Sequence, residues 1–172
     1  TSHYCPWFLE ACKSETNPYR SFYHFSQTET PGWIAVPSGT TGWFYQGVFD
    51  RSMPDLNYGP AASCEQSGAF RALTDAAEFW IDKGVDGFRL DAVKHIYDSE
   101  ISAENPTWLG KFYTDVNAYF QGKSQLGFED VYMVGECWLA TDQMAEYYKG
   151  LPALFDFTAW QDRLLYAIQN DH

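Results

Sequence analysis

Basic residues are scarce in this sequence, and their scarcity excludes one class of partner. The 172 residues contain 11 Lys and Arg against 23 Asp and Glu, a formal net charge of −12. A surface of this charge repels phosphate backbones, so we expect no nucleic-acid partner. No apolar run is long enough to span a bilayer, and no basic amphipathic run indicates binding to an anionic membrane. The opening TSHYCPWF has neither Met nor a signal peptide, so we expect a processed chain or a piece of a longer one.

Cysteines are few and are not spaced as a metal site or a redox motif requires. Cys5, Cys12, Cys64 and Cys137 form no CxxC pair, which argues against zinc and thioredoxin-like sites. They permit up to two disulfides or four free thiols, so they leave the compartment open. Aromatic residues, in contrast, make up 19% of the chain. Most are expected in the core, although aromatic surfaces also suit flat ligands with apolar faces such as sugars.

The composition and the hydrophobic periodicity of the chain change near residue 66. Residues 1–66 are dense in Gly, Pro and Ser with short aromatic runs, which predicts a loop-rich subdomain with a short helix near CPWFLEACKS. From residue 67 the predicted strands VDGFRLD, VYMVGE and PALFDF alternate with four predicted helices, one capped by Asn105 with Pro106 in its first turn. This alternation predicts parallel strands with crossover helices, part of a doubly wound sheet or of an eight-stranded barrel.

Two predicted strands end in carboxylates. Side chains alternate along a strand, so Arg89 and Asp91 share one face, and Glu136 ends the next strand in the same way. Neighbouring parallel strands lie about 4.8 Å apart, which would bring the two carboxylates within roughly 5–6 Å. A separation of about 5–5.5 Å is typical of a retaining glycosidase. For either strand alone, a helix cap or a simple salt bridge is the better interpretation; the two strands together favour a site at the end of barrel strands.

The surroundings of the two carboxylates predict different roles. The charge of Arg89 should keep Asp91 ionised, as a nucleophile requires. Glu136 is flanked by Gly135, Cys137 and Trp138, a less polar setting in which desolvation would raise its pKa and suit a general acid and base.

These motifs carry a resemblance to a known family. GFRLDAVKH at 87–95 and VGECW at 134–138 together resemble the α-amylase superfamily of retaining glycoside hydrolases. MPDLNY at 53–58 resembles that family's motif near the end of its loop-rich domain B. The opening TSHYCPWFLEA resembles the segment after strand three, although Cys5 stands where the family commonly has His, so no role is carried over there. The runs AVKHIYDSE, ENP and YKGLPALF are most similar to cell-surface starch-degrading amylases of gut bacteria.

The resemblance implies roles for individual residues. Asp91 would be the nucleophile, Glu136 the acid and base, and Arg89 the residue that orients Asp91. Lys94 and His95 would bind sugar on the leaving-group side. Trp138 could stack on a sugar ring or belong to the core. A structural calcium would take Asp55 and the main-chain carbonyl of His95, with a further Asn that precedes this sequence.

The resemblance also implies the architecture: domain B over 1–66 and the central part of a (β/α)8 barrel, about strand 4 to helix 6, over 67–172. The family's third carboxylate, in an Asn-His-Asp motif, is missing, since the terminal IQNDH has the wrong order and follows a helical run. We therefore expect an exported enzyme that cleaves α-1,4-glucosidic bonds in starch or maltooligosaccharides as part of a longer chain, and an inactive 172-residue piece. The alternatives are an α-glucan transglycosylase and a non-catalytic carbohydrate-binding member of the fold.

Overall fold

The computed structural model describes residues 1–123 and 130–170, which form two compact units. The first unit comprises 1–59 and 63–72, and the second comprises 60–62 and 73–172. Within the described ranges, no helix is both long enough and apolar enough to cross a membrane. The IQNDH stretch ends at residues 171–172, which lie outside the described residues.

The first unit is built around one short helix and a small antiparallel sheet. Helix α1 spans Pro6–Lys13, within the stretch where the sequence predicts a short helix, and Pro6 lies in its first turn. Strands β1 (Phe25–Ser26), β2 (Ile34–Ala35) and β3 (Phe44–Tyr45) pair in the order β1-β3-β2. The strands are short because Gly, Pro and Ser interrupt every apolar run between them. Six buried side chains form the core of this unit: Phe8, Ala11, Cys12, Tyr23, Val36 and Tyr45.

One glycine in the first unit is required by a close backbone approach. Gly39 has a φ of +89°, and a Cβ placed there would lie 2.2 Å from the carbonyl oxygen of Cys12. The amide of the next residue, Thr40, donates to that same carbonyl at 2.8 Å. The loop after β2 is therefore fastened to the end of α1 by main-chain hydrogen bonding, which compensates for the short strands.

The second unit repeats a strand–helix alternation. Helix α2 (Gly68–Ile81) begins in the first unit and continues into the second. After it come β4 (Gly87–Leu90), a 3₁₀ turn (Val93–His95), α3 (Glu104–Lys123), β5 (Tyr132–Gly135), α4 (Thr141–Met144) with a 3₁₀ turn (Ala145–Lys149), β6 (Ala153–Leu154), a π turn (Ala159–Leu164) and α5 (Leu165–Asn170). β4 pairs with β5 and β5 with β6, both in parallel. The predicted element order and the parallel pairing are confirmed.

The apolar stripe of α3 supplies much of the core of the second unit. Five apolar residues that recur at helical spacing along α3 are buried: Trp108, Leu109, Phe112, Val116 and Phe120. Gly150 lets the 3₁₀ turn at 145–149 approach the start of this helix, because a Cβ there would lie 2.4 Å from the carbonyl oxygen of Pro106. Close packing at this point brings Tyr147 against the first turn of α3.

The predicted cap of α3 is wrong. The helix begins at Glu104, so Asn105 lies inside its first turn and is fully buried. Its side-chain oxygen accepts from the amide of Tyr97 at 2.8 Å, and its nitrogen donates to the hydroxyl of Tyr147 at 3.1 Å. Asn and Pro at a helix start indicate a cap in sequence, but here the amide turns away from the helix to pair with the preceding loop.

The hydroxyl of Tyr147 should therefore contribute measurably to stability. It donates to the main-chain carbonyl of Glu100 at 2.6 Å, and a phenylalanine would leave that carbonyl without this donor. We expect Tyr147→Phe to lower the free energy of unfolding by about 1–2 kcal/mol, measured by urea denaturation. Tyr148→Phe is the matched control, since Tyr148 is 51% exposed and should change stability little. Equal effects of the two substitutions would contradict this role.

Candidate active site

The two predicted catalytic carboxylates directly follow two neighbouring parallel strands. β4 pairs with β5 so that Leu90 lies opposite Gly135, and the next residues along the chain are Asp91 and Glu136. The main-chain bonding continues past the strands, since the amide of Glu136 donates to the carbonyl of Leu90 at 2.8 Å. This edge, the carboxyl ends of parallel strands, is where β/α barrels hold their active sites.

Arg89 joins the two carboxylates. Its Nη1 lies 2.6 Å from Oδ1 of Asp91, and its Nη2 contacts Oε2 of Glu136. The side chain of Asp91 is 70% exposed and that of Glu136 is 26% exposed. The structure thus brings Arg89, Asp91 and Glu136 together in one cluster, with Asp91 the more open of the two carboxylates to solvent and Glu136 the more enclosed.

Glu136 has a charged partner that the sequence did not indicate. The sequence predicts a setting less polar than that of Asp91 for Glu136 and assigns Arg89 to orient Asp91; both remain predictions. In the structure the guanidinium contacts both carboxylates, because its two terminal nitrogens point in different directions. Asp91 and Glu136 are therefore paired with the same cation.

The segment after Asp91 turns sharply, which places Lys94 and His95 beside the strand ends. Ala92 adopts a left-handed conformation with a φ of +46°, uncommon for a residue with a Cβ, and a 3₁₀ turn follows at once. The amide of Val93 then donates to the carbonyl of Glu136 at 3.0 Å. The turn is therefore bonded to both strands that carry the carboxylates.

A residue that the sequence analysis did not single out, Glu100, faces both predicted sugar-binding residues. Lys94 Nζ lies 2.9 Å from Oε1 of Glu100, and His95 Nε2 lies 3.4 Å from the same oxygen. The hydrogen bond from Lys94 holds the pKa of Glu100 below its usual range. The sequence offers no signal for this contact, since Glu100 lies in an irregular loop between the 3₁₀ turn and α3.

Trp138 follows Glu136 by two residues and is 52% exposed. Its ring lies 4.6 Å from that of Phe157 in a tilted arrangement, and Phe157 in turn lies 5.9 Å from the ring of Phe155. Trp138 is thus an exposed member of a small aromatic cluster rather than a core residue. Its stacking on a sugar ring remains a prediction.

The calcium prediction rests on residues of both units. Asp55 belongs to the first unit, where its Oδ2 accepts from the amide of Val48 at 2.8 Å. This bond is the turn-stabilising role that Asp commonly has. A carboxylate and the carbonyl of His95 are oxygen ligands suited to calcium, but they supply two of the six to eight that the ion takes. Among the described residues, no group of three His, Cys, Asp or Glu could hold a metal ion.

The first unit has a pocket of about 620 Å³ lined by aromatic and polar residues, including Trp33 and Trp43. Part of its wall is a packed cluster: the Arg20 guanidinium lies 3.6 Å from the ring centre of Phe25 and 4.3 Å from that of Trp43. The indole nitrogen of Trp43 donates to Glu15 at 2.9 Å. These contacts stabilise the unit, and none of the predicted site residues lines the pocket.

All four cysteines are free thiols, so neither of the permitted disulfides is present. Cys137, next to Glu136, is buried, and burial raises the pKa of its thiol to about 11. A thiol of that pKa is protonated and unreactive at neutral pH. Cys137 is therefore a packing residue beside the carboxylate cluster rather than a nucleophile.

Comparison with known proteins identifies the family. The family model "Alpha amylase, catalytic domain" matches residues 1–161 of this chain. The chain belongs to the α-amylase catalytic-domain family, as the strand-end motifs predicted.

Several characterised relatives are similar to this chain over a part of their own length. Alpha-amylase SusG of Bacteroides thetaiotaomicron is 45% identical over 148 residues, which is 86% of this chain and 21% of that protein. Alpha-amylase 3 of Dictyoglomus thermophilum is 38% identical, covering 99% of this chain and 31% of that protein. An oligo-1,6-glucosidase of Parageobacillus thermoglucosidasius is 34% identical, covering 70% and 22%. The chain thus spans about a fifth to a third of the length of these relatives.

Solved structures agree with the fold. The alpha-amylase from H. orenii superposes with a TM-score of 0.72 at 31% identity, covering 92% of this chain and 31% of that one. Together with the parallel order β4-β5-β6, this confirms the predicted fold, part of a (β/α)8 barrel.

The buried thiol beside Glu136 predicts selective labelling. We expect iodoacetamide at pH 8 to modify the half-buried Cys5 and to leave Cys137 unmodified in the folded chain, with peptide mass spectrometry as the readout. In urea both should react. Labelling of Cys137 as fast as Cys5 at pH 8 would contradict its burial.

Burial of Cys137 should also make stability depend on pH. The pKa of its thiol is about 11 in the folded chain and nearer the ordinary value of 9.0 in the unfolded chain, so the free energy of unfolding should fall as the pH rises through that window.

Proposed function

We propose that this chain is the central part of the catalytic domain of a retaining glycoside hydrolase that cleaves α-1,4-glucosidic bonds in starch or maltooligosaccharides. The observation that carries the proposal is the pair Asp91 and Glu136, which follow adjacent parallel strands in register and share the guanidinium of Arg89. Sharing one guanidinium keeps the two carboxylates near each other, as a nucleophile and an acid acting on the same bond require.

In the first step, a carboxylate oxygen of Asp91 attacks the anomeric carbon and forms an ester with the sugar. The bond from that carbon to the glycosidic oxygen breaks, and Glu136 donates a proton to the departing oxygen. In the second step, Glu136 takes a proton from water, which attacks the anomeric carbon and releases Asp91. Two inversions give net retention of configuration.

The contacts of Arg89 suit both steps. Its bond to Asp91 stabilises the carboxylate as the attacking group. Its contact with Glu136 stabilises the carboxylate form that the second step requires. When Glu136 is protonated its attraction to the guanidinium weakens, which frees the acid to face the leaving oxygen. Arg89 is thus a positioning residue for the whole cycle.

The α-1,4 preference is supported by the motif DAVKH and by two relatives named alpha-amylases at 45% and 38% identity. The relative named an oligo-1,6-glucosidase supports a second candidate, cleavage of α-1,6 bonds. We also propose export and a structural calcium with Asp55 and the carbonyl of His95 among its ligands; both come from the resemblance.

Product analysis separates the candidates. We expect the full-length protein that contains these residues to shorten amylose to maltooligosaccharides and to leave isomaltooligosaccharides intact. Preference for the α-1,6 substrate would overturn the proposed bond specificity. The same digestion with and without an added acceptor sugar tests transglycosylation, which would appear as products longer than the substrate. The absence of any turnover would favour a non-catalytic carbohydrate-binding protein.

Replacement of the two carboxylates should have different effects on the covalent intermediate. We expect Glu136→Gln to lower kcat on maltooligosaccharides by about 10² to 10⁴-fold, and Asp91→Asn to lower it at least as much. With α-maltotriosyl fluoride, Glu136→Gln should accumulate a covalent sugar adduct on the peptide containing Asp91, because fluoride leaves without an acid while water still lacks its base. Asp91→Asn should form no adduct. Mass spectrometry of digested protein is the measurement.

Glu146→Gln is the control for these variants, since Glu146 pairs with Lys149 on an exposed turn that carries none of the predicted site residues. Normal starch hydrolysis by either the Asp91→Asn or the Glu136→Gln protein would contradict the assigned roles.

A further inference from the structure

We propose that Glu100 is a positioning residue that sets the strength of binding to the sugar on the leaving-group side. The proposal rests on the proposed function, in which Lys94 and His95 contact that sugar. Glu100 would act through those two side chains and touch no reacting atom.

The side chain of Glu100 contacts both predicted sugar-binding residues. One carboxylate oxygen receives both Lys94 Nζ, at 2.9 Å, and His95 Nε2, at 3.4 Å. Both side chains come from one 3₁₀ turn, so a single acceptor fixes the direction of two neighbouring residues. A lysine without such an acceptor samples many rotamers, and ordering them on binding costs free energy. Glu100 removes part of that cost before the sugar arrives.

Two buried side chains also hydrogen-bond to the main chain of the loop that carries Glu100. Tyr147 donates its hydroxyl proton to the carbonyl of Glu100 at 2.6 Å. Asn105 donates to the carbonyls of Lys94 and Ser99, both at 3.0 Å. These two buried side chains bond to each other and thereby fasten both ends of the 94–100 loop to α3 and the turn at 145–149.

The loop is also continuous with the reacting residues. Asp91 lies three residues before Lys94, and the amide of Val93 is bonded to the carbonyl of Glu136. The position of Lys94 relative to the two carboxylates is therefore fixed from one side by the sheet and from the other by Glu100. This arrangement is what a binding residue next to a scissile bond needs, because small misplacements there are costly.

Two substrates that differ in the leaving group test the role. Maltotetraose has sugar on the leaving-group side of the cleaved bond, whereas α-maltotriosyl fluoride has a single fluorine atom there. In the full-length protein we expect Glu100→Gln to lower kcat/KM on maltotetraose about 10-fold more than on the fluoride, with most of the loss in KM. Tyr147→Phe should shift the ratio in the same direction, since it releases the main chain at Glu100.

The control is again Glu146→Gln, which removes the charge of a Glu–Lys pair on a more exposed turn and should leave the ratio unchanged. An equal loss on both substrates would show that Glu100 only stabilises the fold and would overturn the proposal, as would no change on either. If the unmodified protein hydrolyses neither substrate, the proposed function itself fails, an outcome distinct from failure of the Glu100 role.

Discussion

The parallel pairing of β4 with β5 is the constraint on which the candidate site depends. Main-chain hydrogen bonds set Leu90 opposite Gly135, and the bond from Glu136 to the carbonyl of Leu90 extends the pairing by one more residue. A shift of one residue would turn either Asp91 or Glu136 to the other face of the sheet. The observed register therefore places both carboxylates in contact with Arg89.

Around this pairing the second unit is arranged in layers of decreasing apolarity. The apolar face of α3 is buried in the core, Asn105 links the helix to the loop after β4, and charged side chains lie at the exposed strand ends. Each layer orients the next. The polar link works because Asn105 and Tyr147 are buried with their hydrogen-bonding groups paired; an unpaired amide at that depth would be costly.

Sequence reasoning reached the strands and the carboxylates because their signals are local. Alternation along GFRLD separates Phe88 and Leu90 from Arg89 and Asp91 without knowledge of the rest of the chain. The pairing of Arg89 with both carboxylates could not be predicted in this way, because it depends on the distance between two strands. The contacts of Glu100 could not be predicted either, because they depend on how an irregular loop folds back. Asn105 was misread because an Asn–Pro pair has the same sequence appearance whether the amide caps its own helix or bonds to the preceding loop.

Asn105, buried in the first turn of α3, couples the position of this helix to that of the loop after β4. The helix spans 20 residues, and its first turn bonds to the main chain that carries Lys94. A substitution on the distant apolar stripe that slides the helix along its axis would carry that loop with it. Core packing around α3 thus sets the position of main chain that lies three residues from Asp91, although no core residue belongs to the carboxylate cluster.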